Sequence, residues 1–204
     1  MKTAENTKLL NDLVRDRIQR SIEVKQLLLS DAAFQDQVAQ AAMQIVKTFR
    51  AGGKVLFFGN GGSAADAQHL AAEFTGRYLK ERRALPALAL HANSSAVTAI
   101  GNDYGFDLVF ARQIEALGRQ GDVAVGISTS GNSRNVLRAL EAAKSKAIYT
   151  VALTGASGGL MKEVADCTLC VPSDETPRIQ EAHILTGHII CEIAEEMLFG
   201  SLQE

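Results

Sequence analysis

Two side chains that can move protons or bind a metal lie four residues apart in the segment FFGNGGSAADAQHLAAEF, residues 57–74. They are His69 and Glu73, and in a helix this spacing places both on one face. An imidazole beside a carboxylate suits proton transfer next to a carbonyl group, or the binding of one divalent metal ion. Taken alone, the same spacing is more typical of a solvated ion pair on a helix surface. The residues that precede the pair therefore matter for the choice between these interpretations.

Two loops rich in glycine and hydroxyl side chains have the composition of phosphate-binding loops. They are Gly59-Asn60-Gly61-Gly62-Ser63 and Ser128-Thr129-Ser130-Gly131-Asn132-Ser133, and each opens a helical pattern. Glycines let an anion approach the free N–H groups at a helix start, and hydroxyls add further donors. Neither loop has the lysine of a Walker A site, so a phosphate monoester fits better than a nucleoside triphosphate. The alternative is a pair of tight turns with N-caps, as the capping pattern Ser63-x-x-Asp66 indicates for the first.

The first loop also fits the G-x-G-x-x-A pattern of dinucleotide-binding folds, from Gly59 to Ala64. Such folds need an acidic residue about 20 positions further on, at the end of the second strand, to hold a ribose. The second apolar run, LPALALH, ends at His91-Ala92-Asn93 and offers no carboxylate there. The sequence therefore favours a phosphate site, with His69 and Glu73 two to three helical turns beyond it.

The last helical segment, RIQEAHILTGHIICEIAEEMLF, supplies further polar candidates on an apolar background. They are Gln180, Glu181, His183 and His188. Two of the chain's four histidines lie here, which suggests chemistry. Histidines that are satisfied within a core are, however, common in such helices.

The pattern of apolar residues indicates which elements position these side chains. Helical patterns run from residue 7 to about residue 50, with an apolar stripe from Leu9 to Leu28 and a second stretch that ends at Gly52-Gly53. From Lys54 onward, short apolar runs alternate with helical patterns, and five of them predict strands. These runs are KVLFFG, LPALALH, VAVGIS, YTVALTG and CTLCVPS. The alternation predicts an α/β fold with a parallel sheet, which binds ligands beyond the carboxyl ends of its strands.

Size and composition predict one domain over residues 1–204, with N-terminal helices for packing or oligomerisation in residues 1–52 and an α/β core in residues 53–204. The net charge of -2 leaves no basic field for direct nucleic acid binding. No apolar run approaches the ~18 residues of a membrane span, and the first residues lack a signal-peptide pattern, so we expect a cytoplasmic protein. Cys167 and Cys170 point to opposite faces of a strand, so we expect neither a metal site nor a disulfide there.

Five segments, taken in order, resemble the phosphoheptose isomerases of the sugar-isomerase (SIS) domain class over residues 40–199. They are GNGGSAADAQHLAAEFTGRY, GNDYGF, GISTSGNS, LTGASGG and RIQEAHILTGH. The resemblance implies a flavodoxin-like, three-layer αβα sandwich with a five-stranded parallel sheet and additional N-terminal helices. It also implies a homotetramer whose active sites lie at subunit interfaces.

The resemblance also implies roles for individual residues. Those that match the family's substrate-binding positions are Asn60, Gly61, Gly62, Glu73, Asn102, Asp103, Ser128, Thr129, Ser130, Ser133 and Gln180. Those that match its divalent-metal set, usually one zinc ion per subunit, are His69, Glu73, Gln180 and His188. Glu73 and His188 match its acid–base pair. This chain departs from many relatives at Thr176-Pro177-Arg178, where they carry an aspartate, and Pro177 is typical of a helix start.

The reaction implied converts sedoheptulose 7-phosphate to D-glycero-D-manno-heptose 7-phosphate through an enediolate. It would supply heptose for the lipopolysaccharide core or other surface glycans. One alternative is an isomerase of another phosphosugar. A second is a non-catalytic SIS tetramer that binds the replication initiator, although relatives of that kind lack the full ligand set. A third, a sugar-phosphate-sensing regulator, would normally carry a DNA-binding domain, for which the chain has no room.

Overall fold

The fold is built on a five-stranded sheet. The computed structural model describes residues 2–202, with side chains from residue 6 onward. The strands are β1 (Val55–Gly59), β2 (Ala87–Ala89), β3 (Val123–Ile127), β4 (Tyr149–Thr154) and β5 (Cys167–Cys170). They are parallel throughout and lie in the order β2-β1-β3-β4-β5. The predicted five-stranded parallel sheet is confirmed, although β2 is shorter than the run LPALALH indicated.

Helices cover both faces of the sheet. They are α1 (Lys2–Ser30), α2 (Ala32–Arg50), α3 (Gly62–Thr75), α4 (Ser94–Tyr104), α5 (Ala111–Leu117), α6 (Arg134–Ser145), α7 (Met161–Val164) and α8 (Thr176–Phe199), with a short 3-10 helix at Phe106–Leu108. Alternate residues of β1 point to opposite faces. Val55 and Phe57 pack in the core that includes residues of α2, α3 and α8, whereas Leu56 and Phe58 pack with those of α5 and α6. The three-layer αβα sandwich is therefore confirmed.

The N-terminal helices confirm the predicted helical pattern. Asp31 separates α1 from α2, and its Oδ1 accepts a hydrogen bond of 3.0 Å from the backbone N–H of Phe34. Most of the apolar stripe of α1 faces outward, and Leu9 and Val14 are 71% and 58% exposed. None of the helices in residues 2–202 has both the length and the hydropathy that crossing a membrane requires.

Two carboxylates, buried Asp122 and the more exposed Asp166, bind backbone N–H groups at the amino ends of the strands. Asp122, just before β3, accepts hydrogen bonds from the backbone N–H groups of Lys54 and Arg119, and its Oδ2 lies 2.6 Å from the Lys54 ammonium. Asp166, just before β5, accepts a hydrogen bond from the backbone N–H of Thr150 at 2.9 Å. At the other end of the sheet, the last pair of the β1–β3 register is Gly59 with Ile127. The two loops that contain the candidate phosphate ligands therefore leave the sheet side by side.

Candidate active site

The β1–α3 loop exposes free backbone donors at the start of α3. The helix begins at Gly62, its N-cap is Gly61 with a φ of 54°, and no side chain caps its first turn. The capping pattern predicted from Ser63 and Asp66 is therefore wrong, because the helix starts two residues earlier and Ser63 is buried in it. Glycine at position 61 permits the positive φ. The N–H groups that a cap would have occupied are left for an anion.

The β3–α6 loop gathers three serine hydroxyls. Ser128 Oγ lies 2.9 Å from Ser133 Oγ and 3.4 Å from Ser130 Oγ. Ser133 is the N-cap of α6, yet its side chain makes no capping bond to that helix. The hydroxyls therefore face one another rather than the helix, an arrangement that suits several hydrogen bonds to a single anion.

A third loop supports the serine loop from behind. Gly131 has a φ of 66°, and a Cβ there would lie 2.1 Å from the carbonyl oxygen of Gly158. The backbone N–H of Met161 donates to the Gly131 carbonyl oxygen at 3.0 Å, and that of Gly155 donates to Thr129 at 2.9 Å. The segment LTGASGG therefore packs against the serine loop and restricts its backbone conformation. No side chain larger than hydrogen fits at Gly131.

His69, Glu73 and His188 converge on one point. His69 Nε2 lies 2.9 Å from Nε2 of His188 and 3.0 Å from Oε1 of Glu73. One ligand atom from each of the three residues lies within 4.8 Å of the others. Two imidazole nitrogens and one carboxylate oxygen form a donor set typical of an open zinc site. The predicted metal ligands at these three positions therefore fit such an ion geometrically.

Close contact between α3 and α8 makes this convergence possible. A Cβ at Gly187 would lie 2.5 Å from both methyl groups of Leu70. Because Leu70 adjoins His69 and Gly187 adjoins His188, this close contact between the helices lies next to the metal-binding candidates. The missing side chain at Gly187 therefore sets the distance across which the two histidines meet.

His69, Glu73 and His188 are called the trio below. Gln180 lies on α8 two turns before His188, with its side chain against the first loop. A Cβ at Gly62 would lie 2.5 Å from Nε2 of Gln180. This position suits contact with a substrate between the loop and the trio. Its role as a further metal ligand stays a prediction. The start of α8, with Pro177 in its first turn, agrees with the expected helix start.

Two further candidates on α8 have structural partners. His183 is 1% exposed, and its Nε2 lies 3.0 Å from the carbonyl oxygen of Thr154. Burial lowers the pKa of His183 to about 4, against the effect of that hydrogen bond. The imidazole is therefore neutral and belongs to the core. Glu181 forms an ion pair with Arg178.

Asn102 and Asp103 form a hydrogen bond with each other on an exposed helix. Asn102 Nδ2 donates to Asp103 Oδ1 at 2.8 Å near the end of α4, a helix without buried residues. No hydrogen bond within residues 2–202 connects them to the two loops or to the trio. Their predicted contact with substrate stays a prediction.

Three residues near the site were not predicted as site residues from the sequence. Asn135 exchanges two side-chain hydrogen bonds of 2.9 Å with Asn60. Tyr78 stacks on His188 with ring centroids 5.7 Å apart and an interplanar angle of 24°. Asp66 lies one turn before His69, and burial raises its pKa to about 6 although the charge of His69 opposes this. Tyr78 ends the quoted segment GNGGSAADAQHLAAEFTGRY, and that motif was the one available signal for it.

Known proteins of this fold share both the sequence and the architecture. The family model described as SIS domain matches residues 23–155. Phosphoheptose isomerase from Aneurinibacillus thermoaerophilus is 50% identical over 190 residues, which cover 93% of this chain and 96% of that protein. The enzyme of the same name from Rhodospirillum rubrum is 59% identical over 161 residues, 79% of this chain and 86% of that one.

A solved structure gives the same result. The structure of phosphoheptose isomerase from Neisseria gonorrhoeae is 46% identical and superposes with a TM-score of 0.86, covering 92% of this chain and 99% of that one. Because the superposition covers most of this chain and nearly all of the other one, the similarity includes the N-terminal helices as well as the sheet. The chain therefore belongs to the phosphoheptose isomerases, within the SIS domain family.

Proposed function

We propose that this protein is an aldose–ketose isomerase that converts sedoheptulose 7-phosphate to D-glycero-D-manno-heptose 7-phosphate. The observation that carries the proposal is the convergence of His69, Glu73 and His188 within 4.8 Å, on helices that adjoin two anion-binding loops. The family supplies the substrate class, because its named members are phosphoheptose isomerases. The geometry supports phosphate binding at the two loops and proton transfer at His69, Glu73 and His188.

The phosphate group is proposed to bind at the start of α3 and in the serine loop. Asn60, Gly61 and Gly62 present backbone groups from one side, and the hydroxyls of Ser128, Thr129, Ser130 and Ser133 approach from the other. His69 lies seven residues beyond Gly62, which is ~10 Å along the helix. A sugar phosphate held by its phosphate can therefore extend along α3 toward the trio.

The proposed chemistry moves one proton between neighbouring carbons. For the ketose, a base removes a proton from C1 and returns it to C2, while a second group moves the C1 hydroxyl proton to the C2 oxygen. We assign the first role to Glu73 and the second to His188. Only Oε1 of Glu73 contacts His69, so that contact does not use the second carboxylate oxygen.

The residues proposed to hold one zinc ion are His69, Glu73 and His188, with Gln180 as the fourth. When bound, the ion would polarise the substrate carbonyl and stabilise the developing oxyanion. Independently of the ion, the fixed helices orient the two acid–base groups, and the loops set the register of the sugar.

We also propose a homotetramer with active sites at subunit interfaces. Its support is the exposed apolar stripe of α1, which a monomer would leave in contact with water. The proposed setting is the cytoplasm, in a route to lipopolysaccharide core or other surface glycans. All three cysteines are free thiols, which suits a reducing compartment. Light scattering should report a mass near four times 21.8 kDa, and a monomer would contradict the shared site.

Incubation of the purified protein with a panel of C5 to C7 ketose phosphates tests the function. NMR should show an aldoheptose phosphate from sedoheptulose 7-phosphate, with deuterium incorporated at the carbon next to the carbonyl when the solvent is D2O. Faster conversion of a shorter ketose phosphate would assign a different phosphosugar. Unchanged ketose at high protein concentration, with and without added zinc, would favour the non-catalytic adaptor.

A further inference from the structure

A buried ion pair links the end of α3 to α8, the two helices that carry the trio. Arg82 and Glu195 are each 2% exposed in their side chains, and Arg82 Nε donates to Glu195 Oε1 at 2.8 Å. Arg82 lies in the irregular segment between α3 and β2, whereas Glu195 lies on α8. A charged pair buried to this extent needs many further hydrogen bonds to offset its loss of hydration.

Arg82 satisfies the carbonyl groups at the end of α3. Its Nη2 donates to the carbonyl oxygen of Glu73 at 2.8 Å, and its Nη1 donates to those of Phe74 and Gly76 at 3.0 and 3.2 Å. These carbonyls belong to the last turn, where a helix lacks its own donors and favours a positive charge. Gly76 does not adopt the left-handed conformation of a common C-cap. The guanidinium therefore takes over the function of a C-cap next to Glu73.

Glu195 fixes the segment that carries Tyr78. Its two oxygens accept hydrogen bonds from the backbone N–H groups of Tyr78, Leu79 and Lys80, at 3.0, 2.7 and 2.7 Å. Glu195 follows His188 by seven residues, which places it on the same face of α8 about 10 Å further along. The segment held by Glu195 thus crosses α8 so that the Tyr78 ring stacks on the His188 imidazole.

We propose that Arg82 and Glu195 form a clamp that positions the reaction centre. The clamp holds the backbone of Glu73 from one side and the ring that packs on His188 from the other, so it sets the relative placement of the two groups. Arg82 reaches Glu73 at its backbone carbonyl oxygen, and Glu195 reaches the backbone of the segment that carries Tyr78, so both are positioning residues. The proposal rests on the proposed function for its activity readout, while its metal readout is independent of substrate.

The test compares clamp variants with a matched pair elsewhere. Arg82→Lys keeps the charge but removes the fork that reaches both Glu195 and Glu73. Glu195→Gln keeps the shape but removes the charge. The control is Asp122→Asn, because Asp122 is 3% exposed, pairs with Lys54 and accepts two backbone N–H groups at the opposite end of the sheet. A purely structural role predicts the same behaviour from both pairs.

For the clamp variants we expect kcat to fall and the Kd for zinc alone to rise, each by ~10–100-fold, as is usual when the support of a metal site is lost. KM should change little, because the phosphate loops are untouched. Asp122→Asn should lower the melting temperature without moving kcat or the zinc Kd. If Arg82→Lys and Glu195→Gln are folded and keep wild-type kcat and zinc affinity, the positioning role is wrong. Equal losses in Asp122→Asn would overturn it as well.

If the clamp variants fail to fold, variants of Tyr78 test the positioning role instead. The ring of Tyr78 is partly exposed and can be removed without leaving a buried charge. Tyr78→Ala should weaken zinc binding and turnover by ~10-fold or more, and Tyr78→Phe, which keeps the ring, should recover most of the loss. Wild-type zinc affinity in Tyr78→Ala would overturn the proposal. If the wild-type protein itself shows no isomerase activity, the proposed function fails, and the zinc titrations still test the clamp.

Discussion

Asn60 and Asn135 face each other as a reciprocal amide pair across the two loops of the candidate phosphate site. Each Nδ2 donates to the other residue's Oδ1 at 2.9 Å, and Asn135 Oδ1 also accepts the backbone N–H of Val136. Asn60 belongs to the loop after β1, and Asn135 lies in the first turn of α6 after β3. The pair therefore connects the β1–α3 loop to the start of α6 and sets the distance between the two loops of the candidate phosphate site.

Asn135→Ala should weaken substrate binding more than turnover. The substitution removes both bonds of the pair and lets the first loop move relative to the serine loop, which should raise KM by roughly 30-fold at ~1 kcal/mol for each of the two bonds lost. Calorimetric titration with inorganic phosphate should show the same loss. In a double-mutant cycle, Asn60→Ala combined with Asn135→Ala should cost little more than either change alone. Fully additive losses would show that the pair does not act as a unit.

Glu73→Gln separates binding from chemistry. The amide keeps the size of the side chain and its hydrogen bonding but removes the proposed base, so kcat should fall by ~10²–10⁴. Substrate should still bind, because the phosphate loops are unchanged. Metal content has to be measured with the kinetics, since Glu73 is also a proposed ligand. Near-normal turnover with zinc in place would show that another group is the base.

Gly187→Ala should disturb the meeting of α3 and α8. The new methyl group would lie 2.5 Å from the Leu70 methyls, and overpacking of this kind typically costs about 1–3 kcal/mol of stability. Because the strain falls between His69 and His188, the affinity for zinc should drop as well. Adding Leu70→Ala makes room for the methyl group and should restore part of the zinc affinity, even though it leaves the core less well filled. No recovery in the double variant would mean that the helix spacing does not control the metal site.

Because His183 is buried in its neutral form, the free energy of unfolding should decrease in mild acid. Its pKa is lowered to about 4 in the folded chain by burial, from an ordinary value near 6.5. Between these values the unfolded chain binds the proton and the folded chain does not, so the free energy of unfolding decreases as pH falls. The loss should approach ~3 kcal/mol by pH 4. Urea unfolding at pH 7 and pH 5 measures it, and His183→Gln should show a smaller difference between the two than the wild type.

The two α8 histidines show what the sequence could predict and what it could not. His183 and His188 are five residues apart, so they point in different directions from the helix. Periodicity alone does not say which face meets the sheet, and that face is decided by packing with β4. The strands and the alternation of elements could be predicted because each is a local pattern of apolar residues. The link between Arg82 and Glu195 could not, because it joins residues 113 positions apart and depends on the path of an irregular segment.

The first turn of α3 shows a different limit. Ser63 and Asp66 have the residue types of a capping box, but Gly61 can adopt a positive φ and so starts the helix earlier. The local preference of Ser63 for the N-cap position is not realised, and no side chain caps the backbone N–H groups of the first turn. The same change leaves Oδ2 of Asp66 buried without a hydrogen-bond partner.

The carboxylates at the amino ends of the strands have a consequence for how such a protein can diversify. Asp122 and Asp166 bind the backbone of neighbouring strands at the edge of the sheet away from the loops that hold the candidate ligands. Substitutions in those loops therefore leave these fastenings intact. Variants of this architecture can therefore change the candidate ligand loops while the sheet stays folded, because the residues that hold the sheet and the candidate ligand residues lie at opposite ends of the same strands.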